Sequence, residues 1–247
     1  MSIQILYEDS ELLIINKPFG VVVNRAESVK ESTVQDWAEK ELGIKNNELR
    51  IKENNQVIAG DFYNRAGIVH RLDKETSGCL IIAKTPASFN NLQAAFKARL
   101  VKKTYRALVH GKLVPEEGEI RAPVGRLPWN RERFGVIPGG KEAATRYKRI
   151  TYHISRITNE QYTLVEVYPE TGRTHQIRVH LKYINYPIVG DYLYAGRKTQ
   201  RDDRKWCPRV FLHAAKIEFP HPTTGKIIVV EAFLPHELQL VLASLGS

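Results

Sequence analysis

A nine-residue run that is polar or small except for Leu72, His70-Arg71-Leu72-Asp73-Lys74-Glu75-Thr76-Ser77-Gly78, leads straight into Cys79-Leu80-Ile81-Ile82-Ala83. The second stretch is short and wholly apolar, and it reads as a buried strand. The polar residues before it form a turn, with Gly78 supplying permissive backbone angles. That places Asp73 at the rim of a sheet. Taken alone, an aspartate in a turn more often bonds its own backbone than performs chemistry.

Other stretches repeat the strand-and-turn pattern. Residues 3–7 and 12–15 read as strands around the polar turn Glu8-Asp9-Ser10-Glu11. Lys17-Pro18 ends the second, because proline cannot donate to a ladder. Val21-Val22-Val23 reads as a further short strand, and residues 104–109 as another. Residues 145–152 and 161–168 pair around Asn159-Glu160, and residues 210–219 and 227–233 flank the turn at 221–225. Helices are fewer. Ser32-Thr33-Val34-Gln35 has capping-box spacing and opens a helix through Leu42. Thr85 caps a second helix with Pro86 in its first position, and Phe89, Leu92, Phe96 and Leu100 form its apolar stripe. Residues 175–184 have helical spacing, and Leu234-Pro235-His236-Glu237 opens a short terminal helix. Residues 43–66 and 195–209 read as loops, and residues 112–143 as an extended basic loop or hairpin. Strands in hairpins outnumber helices, which argues for an α+β fold with a mainly antiparallel sheet.

Charge narrows the function classes. The chain of 247 residues has a formal net charge of +10. Residues 1–61 hold 7 Lys/Arg against 11 Asp/Glu, whereas residues 97–149 hold 14 against 5. A surplus confined to one segment suits a polyanionic partner. No apolar run reaches the roughly 20 residues of a membrane span, and no secretory signal is visible. Cys79 and Cys207 stand alone, which argues against a disulfide framework or a thiolate zinc site. His175 and His180 do not share a helix face, and His70, His110 and His213 lie in unrelated segments, so no metal is expected.

The motif at residues 70–78 resembles the catalytic-aspartate motif of the RluA class of pseudouridine synthases, which isomerise uridine in ribosomal and transfer RNA. Further stretches match in the same order. Ile15-Asn16-Lys17-Pro18-Phe19-Gly20-Val21 is similar to the family's N-terminal motif. Lys103-Thr104-Tyr105-Arg106-Ala107-Leu108-Val109-His110-Gly111 resembles its tyrosine motif. Thr171-Gly172-Arg173-Thr174-His175-Gln176-Ile177-Arg178-Val179-His180 resembles its arginine motif. Pro187-Ile188-Val189-Gly190-Asp191 and Leu212-His213-Ala214 resemble its C-terminal signatures.

The resemblance implies the pseudouridine synthase fold, a mixed, mainly antiparallel sheet with flanking helices and a central active-site cleft. It implies one catalytic domain over residues 1–247, without the N-terminal RNA-binding domain that some members carry. Asp73 is then the nucleophile at the sugar or the base that starts elimination. Arg178 becomes its counter-charge and Tyr105 the ring against the target uracil. Ile177 becomes an apolar wall. Arg71 fills the space left by an extruded nucleotide. Arg173 contacts phosphate, Lys17 supports the site or binds phosphate, and His70 belongs to the RNA-binding set. Arg131 and Arg133, in the basic segment, complete that set. The reaction transfers no electron and no phosphate, so no cofactor is expected. A cytoplasmic monomer acting on structured RNA is the resulting picture. Two alternatives stand beside it. One is a glycosidase-like hydrolase, which needs two opposed carboxylates and finds only Glu75 nearby. The other is a basic RNA-binding protein without activity.

Overall fold

The computed structural model describes residues 1–27, 29–44, 60–155 and 160–245. The described elements begin with β1 (Gln4–Glu8), β2 (Leu12–Lys17), α1 (Val34–Glu41), α2 (Gly60–Asn64), β3 (Ser77–Ala83) and α3 (Pro86–Lys97). There follow β4 (Lys102–His110), β5 (Glu117–Arg121), β6 (Val124–Leu127), β7 (Asn130–Val136), β8 (Ala144–Ile154) and β9 (Gln161–Pro169). The last are α4 (Gln176–Tyr183), α5 (Arg197–Asp203), β10 (Leu212–Pro220), β11 (Ile227–Glu231) and α6 (His236–Leu245). Strands with flanking helices make this an α+β fold. The chain divides into two compact units, Met1–Val101 with Lys216–Ala232, and Lys102–Ala215 with Phe233–Ser247. Strand β10 begins in the second unit and ends in the first.

In the first unit β1, β2 and β3 are antiparallel neighbours, with Leu12 opposite Ala83 and Lys17 opposite Gly78. Both β2 and β3 are almost wholly buried, which is why they lack polar alternation. Leu12, Ile14, Cys79 and Ile81 share a core cluster with Phe89 and Leu92 of α3. Each fully buried side chain of that size contributes about 2 kcal/mol. Thr85 caps α3 by accepting the Ser88 N–H at 3.1 Å, with Pro86 in the first turn. The capping box of α1 sits one residue later than the Ser32 spacing suggests. Thr33 accepts from the Asp36 N–H, and Asp36 accepts from the Thr33 N–H at 2.7 Å.

In the second unit the antiparallel order is β4-β9-β8-β5. Tyr105 lies opposite Val167, and β8 carries a register shift between Arg149 and Thr151. Strands β6 and β7 form a separate two-stranded ribbon. Helix α4 packs against β7, β8 and β9.

Several readings of the sequence change. Gly78 lies within β3 rather than in the turn, although its φ of 113° uses the freedom expected of it. Val21-Val22-Val23 is not a strand. Its carbonyls accept the Lys17 ammonium and the N–H groups of Val34 and Gln35 at the start of α1. The 43–66 loop contains α2, and its residues 45–59 lie outside the described part of the chain. The basic stretch 195–209 holds α5, and 112–143 resolves into β5 and the β6–β7 ribbon. Strands β8 and β9 pair as expected, while Asn159 lies outside the described residues. Among the described residues, no helix is long and apolar enough to cross a membrane.

Candidate active site

Asp73 opens a tight turn in which its carbonyl accepts the Thr76 N–H at 3.0 Å. The turn is tied down one residue further on. The Lys74 carbonyl accepts the Gly20 N–H at 2.9 Å and the Lys17 ammonium at 3.3 Å. Lys17 also donates to the carbonyls of Pro18 at 2.8 Å and Val21 at 2.7 Å. Lys17 is fully buried, and a buried ammonium needs this many acceptors. These three bonds tie it to the backbone at 18–21 and at the Asp73 turn. On the other flank, His70 Nε2 accepts the Ile81 N–H at 3.0 Å, and its ring lies 4.8 Å from that of Phe96. Nε2 is therefore unprotonated, and His70 fastens the segment to β3 and α3. Leu72, Thr76 and Ser77 are buried, Asp73 is half-buried, and Arg71 is exposed. The turn is thus held by its neighbours while the aspartate stands at its rim.

In the second unit, α4 starts unusually. His175 is its N-cap in the left-handed region, with φ 55° and no side-chain cap. The buried Gln176, first residue of the helix, ties the preceding loop to β8. Its Oε1 accepts the Thr171 hydroxyl at 2.7 Å and the Arg173 N–H at 3.0 Å. Its Nε2 donates to the Ala144 carbonyl and the Thr145 hydroxyl. Two residues on, Arg178 is 2 % exposed. Its Nε and Nη2 donate to the two carboxylate oxygens of Asp191 at 2.7 and 2.8 Å. Asp191 is itself completely buried and also accepts the N–H groups of Leu193 and Tyr194. The Arg178 guanidinium lies 5.1 Å from the Tyr194 ring centroid. Only glycine fits before Asp191, because a Cβ on Gly190, at φ 75°, would meet the Arg209 carbonyl oxygen at 2.1 Å. A bidentate, desolvated pair of this kind fixes the guanidinium plane.

Tyr105 is 9 % exposed on β4. Lys103, two residues earlier on the same strand, has its ammonium pushed down to about 8 by burial. Ile177 is buried on α4. Arg173 is exposed, and its Nε donates to the Glu142 carbonyl at 3.1 Å. Arg131 and Arg133 lie on β7. The next residue, Phe134, donates its N–H to the Tyr194 hydroxyl at 3.0 Å, and that hydroxyl also meets His175 Nδ1 at 2.8 Å. Phe134, His175 and Arg178 therefore meet at Tyr194. Lys17, His70 and Asp73 form a second assembly, in the first unit, while Tyr105, Ile177 and Arg178 belong to the second.

Three contributors carried no assigned role in the sequence. Asp191 closes a matched motif, and a Gly-Asp pair after an apolar run was the available signal. Gln176 and His180 looked like ordinary helix residues. His180 is buried and held from both ring nitrogens, with Nδ1 2.9 Å from Thr145 Oγ1 and Nε2 3.0 Å from the Ala122 carbonyl oxygen. Among the described residues, no group of three or more His, Cys, Asp or Glu could hold a metal ion.

Comparison with known proteins converges on one family. The family model for RNA pseudouridylate synthase matches residues 11–183. An uncharacterized RNA pseudouridine synthase of Chloroflexus aurantiacus is 41% identical over 230 residues, covering 93% of this chain and 65% of that protein. The ribosomal large subunit pseudouridine synthase D of Pseudomonas aeruginosa is 36% identical over 255 residues, covering 99% and 72%. The chain thus spans about two thirds of the length of these relatives. The solved structure of human RNA pseudouridylate synthase domain containing 1 aligns over 100% of this chain and 96% of its own, with a TM-score of 0.68 at 24% identity, which shows the fold.

Proposed function

This chain belongs to the RNA pseudouridylate synthase family, and from that premise we propose that it isomerises specific uridines of structured RNA to pseudouridine. The observation that carries the reading is the family match over residues 11–183, which takes in Asp73, Tyr105 and Arg178 together. In the reaction the N1–C1′ bond breaks, the uracil turns, and C5 bonds to C1′. The C5 proton leaves and N1 gains one, so atoms and charge balance without a redox partner or a transferred group.

Asp73 is the catalytic carboxylate, acting on the sugar carbon or as the base that starts elimination. Tyr105 lies against the uracil and relays the C5 proton. Arg178 serves as the counter-charge of Asp73. Two of its five N–H donors go to Asp191, which sets the plane in which the remaining donors point. Ile177 walls the pocket. A uridine inside folded RNA must be extruded, and Arg71 fills its place. Arg173, Arg131 and Arg133 contact phosphates, while Lys17 and His70 hold the Asp73 turn. The substrate is ribosomal or transfer RNA, with the name of the Pseudomonas aeruginosa relative favouring the former. The protein acts as a cytoplasmic monomer and needs no cofactor.

The test is product analysis on ribosomal and transfer RNA incubated with the protein, with nucleosides mapped in cells that have and lack it. Pseudouridine at defined positions supports the reading. Free uracil would make the protein a hydrolase, and unchanged RNA would leave it a binding protein. Activity is expected to survive EDTA on RNA whose fold survives chelation.

A further inference from the structure

The β6–β7 ribbon is the part of the second unit that the proposed chemistry leaves least explained. Leu127 pairs with Asn130, so Pro128-Trp129 alone makes the connection. Trp129 is 78 % exposed, whereas Trp37 and Trp206 are both partly buried. An indole left in water forgoes the burial that usually justifies the residue. The ribbon is also irregular just beyond the tip. Its register jumps from Arg126 opposite Phe134 to Leu127 opposite Asn130, so residues 131–133 bulge from the ladder. Those three are Arg131, Glu132 and Arg133, and Arg126 faces them from β6. The tip therefore presents one broad aromatic ring among three arginines and a single acid.

An isolated two-stranded ribbon is marginal by itself, but this one is braced. Pro128 fixes its own φ. Arg126 donates to the Arg131 carbonyl, and its guanidinium lies 4.9 Å from the Phe134 ring centroid. Asn130 accepts the Glu132 N–H at 3.2 Å. At the base, the Phe134 ring meets His175 edge-on at 5.6 Å, and Val124 joins a core cluster with Ala143, Val179 and Tyr194. The result is a rigid support ending in an exposed ring, a shape that loses little freedom when something stacks on it.

We propose that Trp129 is a stacking anchor for an unpaired base of the RNA, at a position other than the target uridine. The occupant is nucleic acid because the surroundings are cationic, and it is unpaired because bases within a duplex are already stacked on one another. The ring supplies the base contact, and Arg126, Arg131 and Arg133 address the flanking phosphates. The inference rests on the RNA-modifying reading, and it adds a requirement to it: the substrate must offer a single-stranded base at a fixed reach from the modified uridine.

Binding of wild type, Trp129→Ala, Trp129→Phe and Phe233→Ala is measured with two probes. One is a single-stranded oligouridylate of about ten nucleotides, and the other is a blunt RNA duplex of the same length. Trp129→Ala is expected to weaken oligouridylate binding by roughly 5- to 150-fold, the equivalent of about 1–3 kcal/mol for one stacked base. Trp129→Phe keeps a ring and stays within about threefold of wild type, which also shows that the tip folds. Binding of the duplex does not change. Phe233→Ala, at an 87 % exposed aromatic with no arginine within three residues, changes neither probe. Unaltered oligouridylate binding by Trp129→Ala overturns the proposal. So does equal loss on both probes, or a self-association of wild type that Trp129→Ala abolishes, which would make the ring a contact between copies. The pseudouridine assay on structured RNA separates the two readings. Trp129-dependent binding without isomerisation by wild type overturns the enzymatic reading alone. Isomerisation without Trp129-dependent binding overturns the anchor alone.

Discussion

The two units divide charge as unevenly as two different proteins would. The first holds 15 Lys/Arg against 15 Asp/Glu, and the second holds 22 against 12, so the whole net charge of +10 belongs to the second. In the first unit, several of the described cations are held by its own acids and carbonyls. Arg25 pairs with Asp36 and Glu39, Lys84 with Glu8, and Lys17 with three carbonyls. The second unit has buried pairs too, but its surplus stands on elements such as the ribbon and α5. A balanced unit can shape an anionic catalytic group, whereas an unbalanced one attracts a polyanion through long-range field. The contrast therefore sets the unit that holds Asp73 against the unit that holds the cationic surplus, and each half of it can be broken independently.

The largest break is expected at Asp73. Asp73→Asn keeps the size of the side chain and removes its charge and nucleophilicity. Single-turnover pseudouridine formation should fall to background while RNA affinity remains near wild type, because the proposed phosphate contacts, Arg131, Arg133 and Arg173, belong to the other unit. Substantial isomerisation by this variant would sink the assignment. Loss of binding together with activity would show instead that the first unit carries much of the RNA surface.

The next largest effect lies in the second unit and is one of stability. Asp191→Ala leaves the Arg178 guanidinium buried without its bidentate acceptor, which typically costs about 3–5 kcal/mol. Denaturant unfolding should show that loss, and surviving protein should turn over slowly because the guanidinium plane is no longer fixed. An exposed pair in the first unit, Lys74 with Glu31, should give no more than about 1 kcal/mol when broken the same way. Equal costs would erase the contrast.

Salt dependence sharpens the comparison with a smaller effect. Neutralising Arg131 and Arg133 together should reduce the log–log salt slope of RNA binding by roughly 1.4–1.8, two contacts' worth. Replacing Lys84 in the first unit should leave the slope alone. Trp129→Ala should weaken binding without changing the slope, since stacking releases few counterions.

Much of this arrangement could be read from the residues, and the failures share one cause. Strands β3, β8 and β9 and the N-cap of α3 declared themselves through local pattern. So did the Asp73 turn, a polar run feeding a buried strand. Val21-Val22-Val23 failed because strand propensity cannot see that other groups claim those carbonyls: the Lys17 ammonium and the open N–H groups of α1. Arg178 could be singled out from its motif, but its tie to Asp191 could not, since a turn with a positive-φ glycine brings together residues 13 apart. Gln176 looked like a polar helix residue because its four partners lie on the preceding loop and on β8. Trp129 sat in a segment with no periodicity. What is local in sequence was visible, and what depends on a distant hydrogen-bond partner was not.

The smallest expected effect concerns acid. Burial pulls the pKa of His180 below its ordinary value, against the opposing pull of its bond to the Ala122 carbonyl. The folded protein therefore holds this imidazole neutral, with Nδ1 accepting from Thr145 and Nε2 donating to Ala122. In the unfolded chain a histidine titrates near 6.5. Its contribution to stability is present above that pH and is lost as pH falls from there through the lower folded value, because only the unfolded state takes up the proton. The first unit responds later. Burial would raise the carboxyl of Asp9, but the Tyr7 hydroxyl, the N–H groups of Glu11 and Leu12, and His221 together hold it below the usual range. Its stabilisation persists down to the ordinary carboxylate pKa, near 4, and fails only below it. On acidification the second unit should thus loosen before the first. Hydrogen exchange followed segment by segment from neutral pH downwards should show protection falling first around β8 and α4, with β1 and β2 unaffected until pH 4 is approached. His180→Gln should flatten the early part of that profile whatever its effect on stability at neutral pH. An unchanged profile would mean that another group in the second unit sets the acid response.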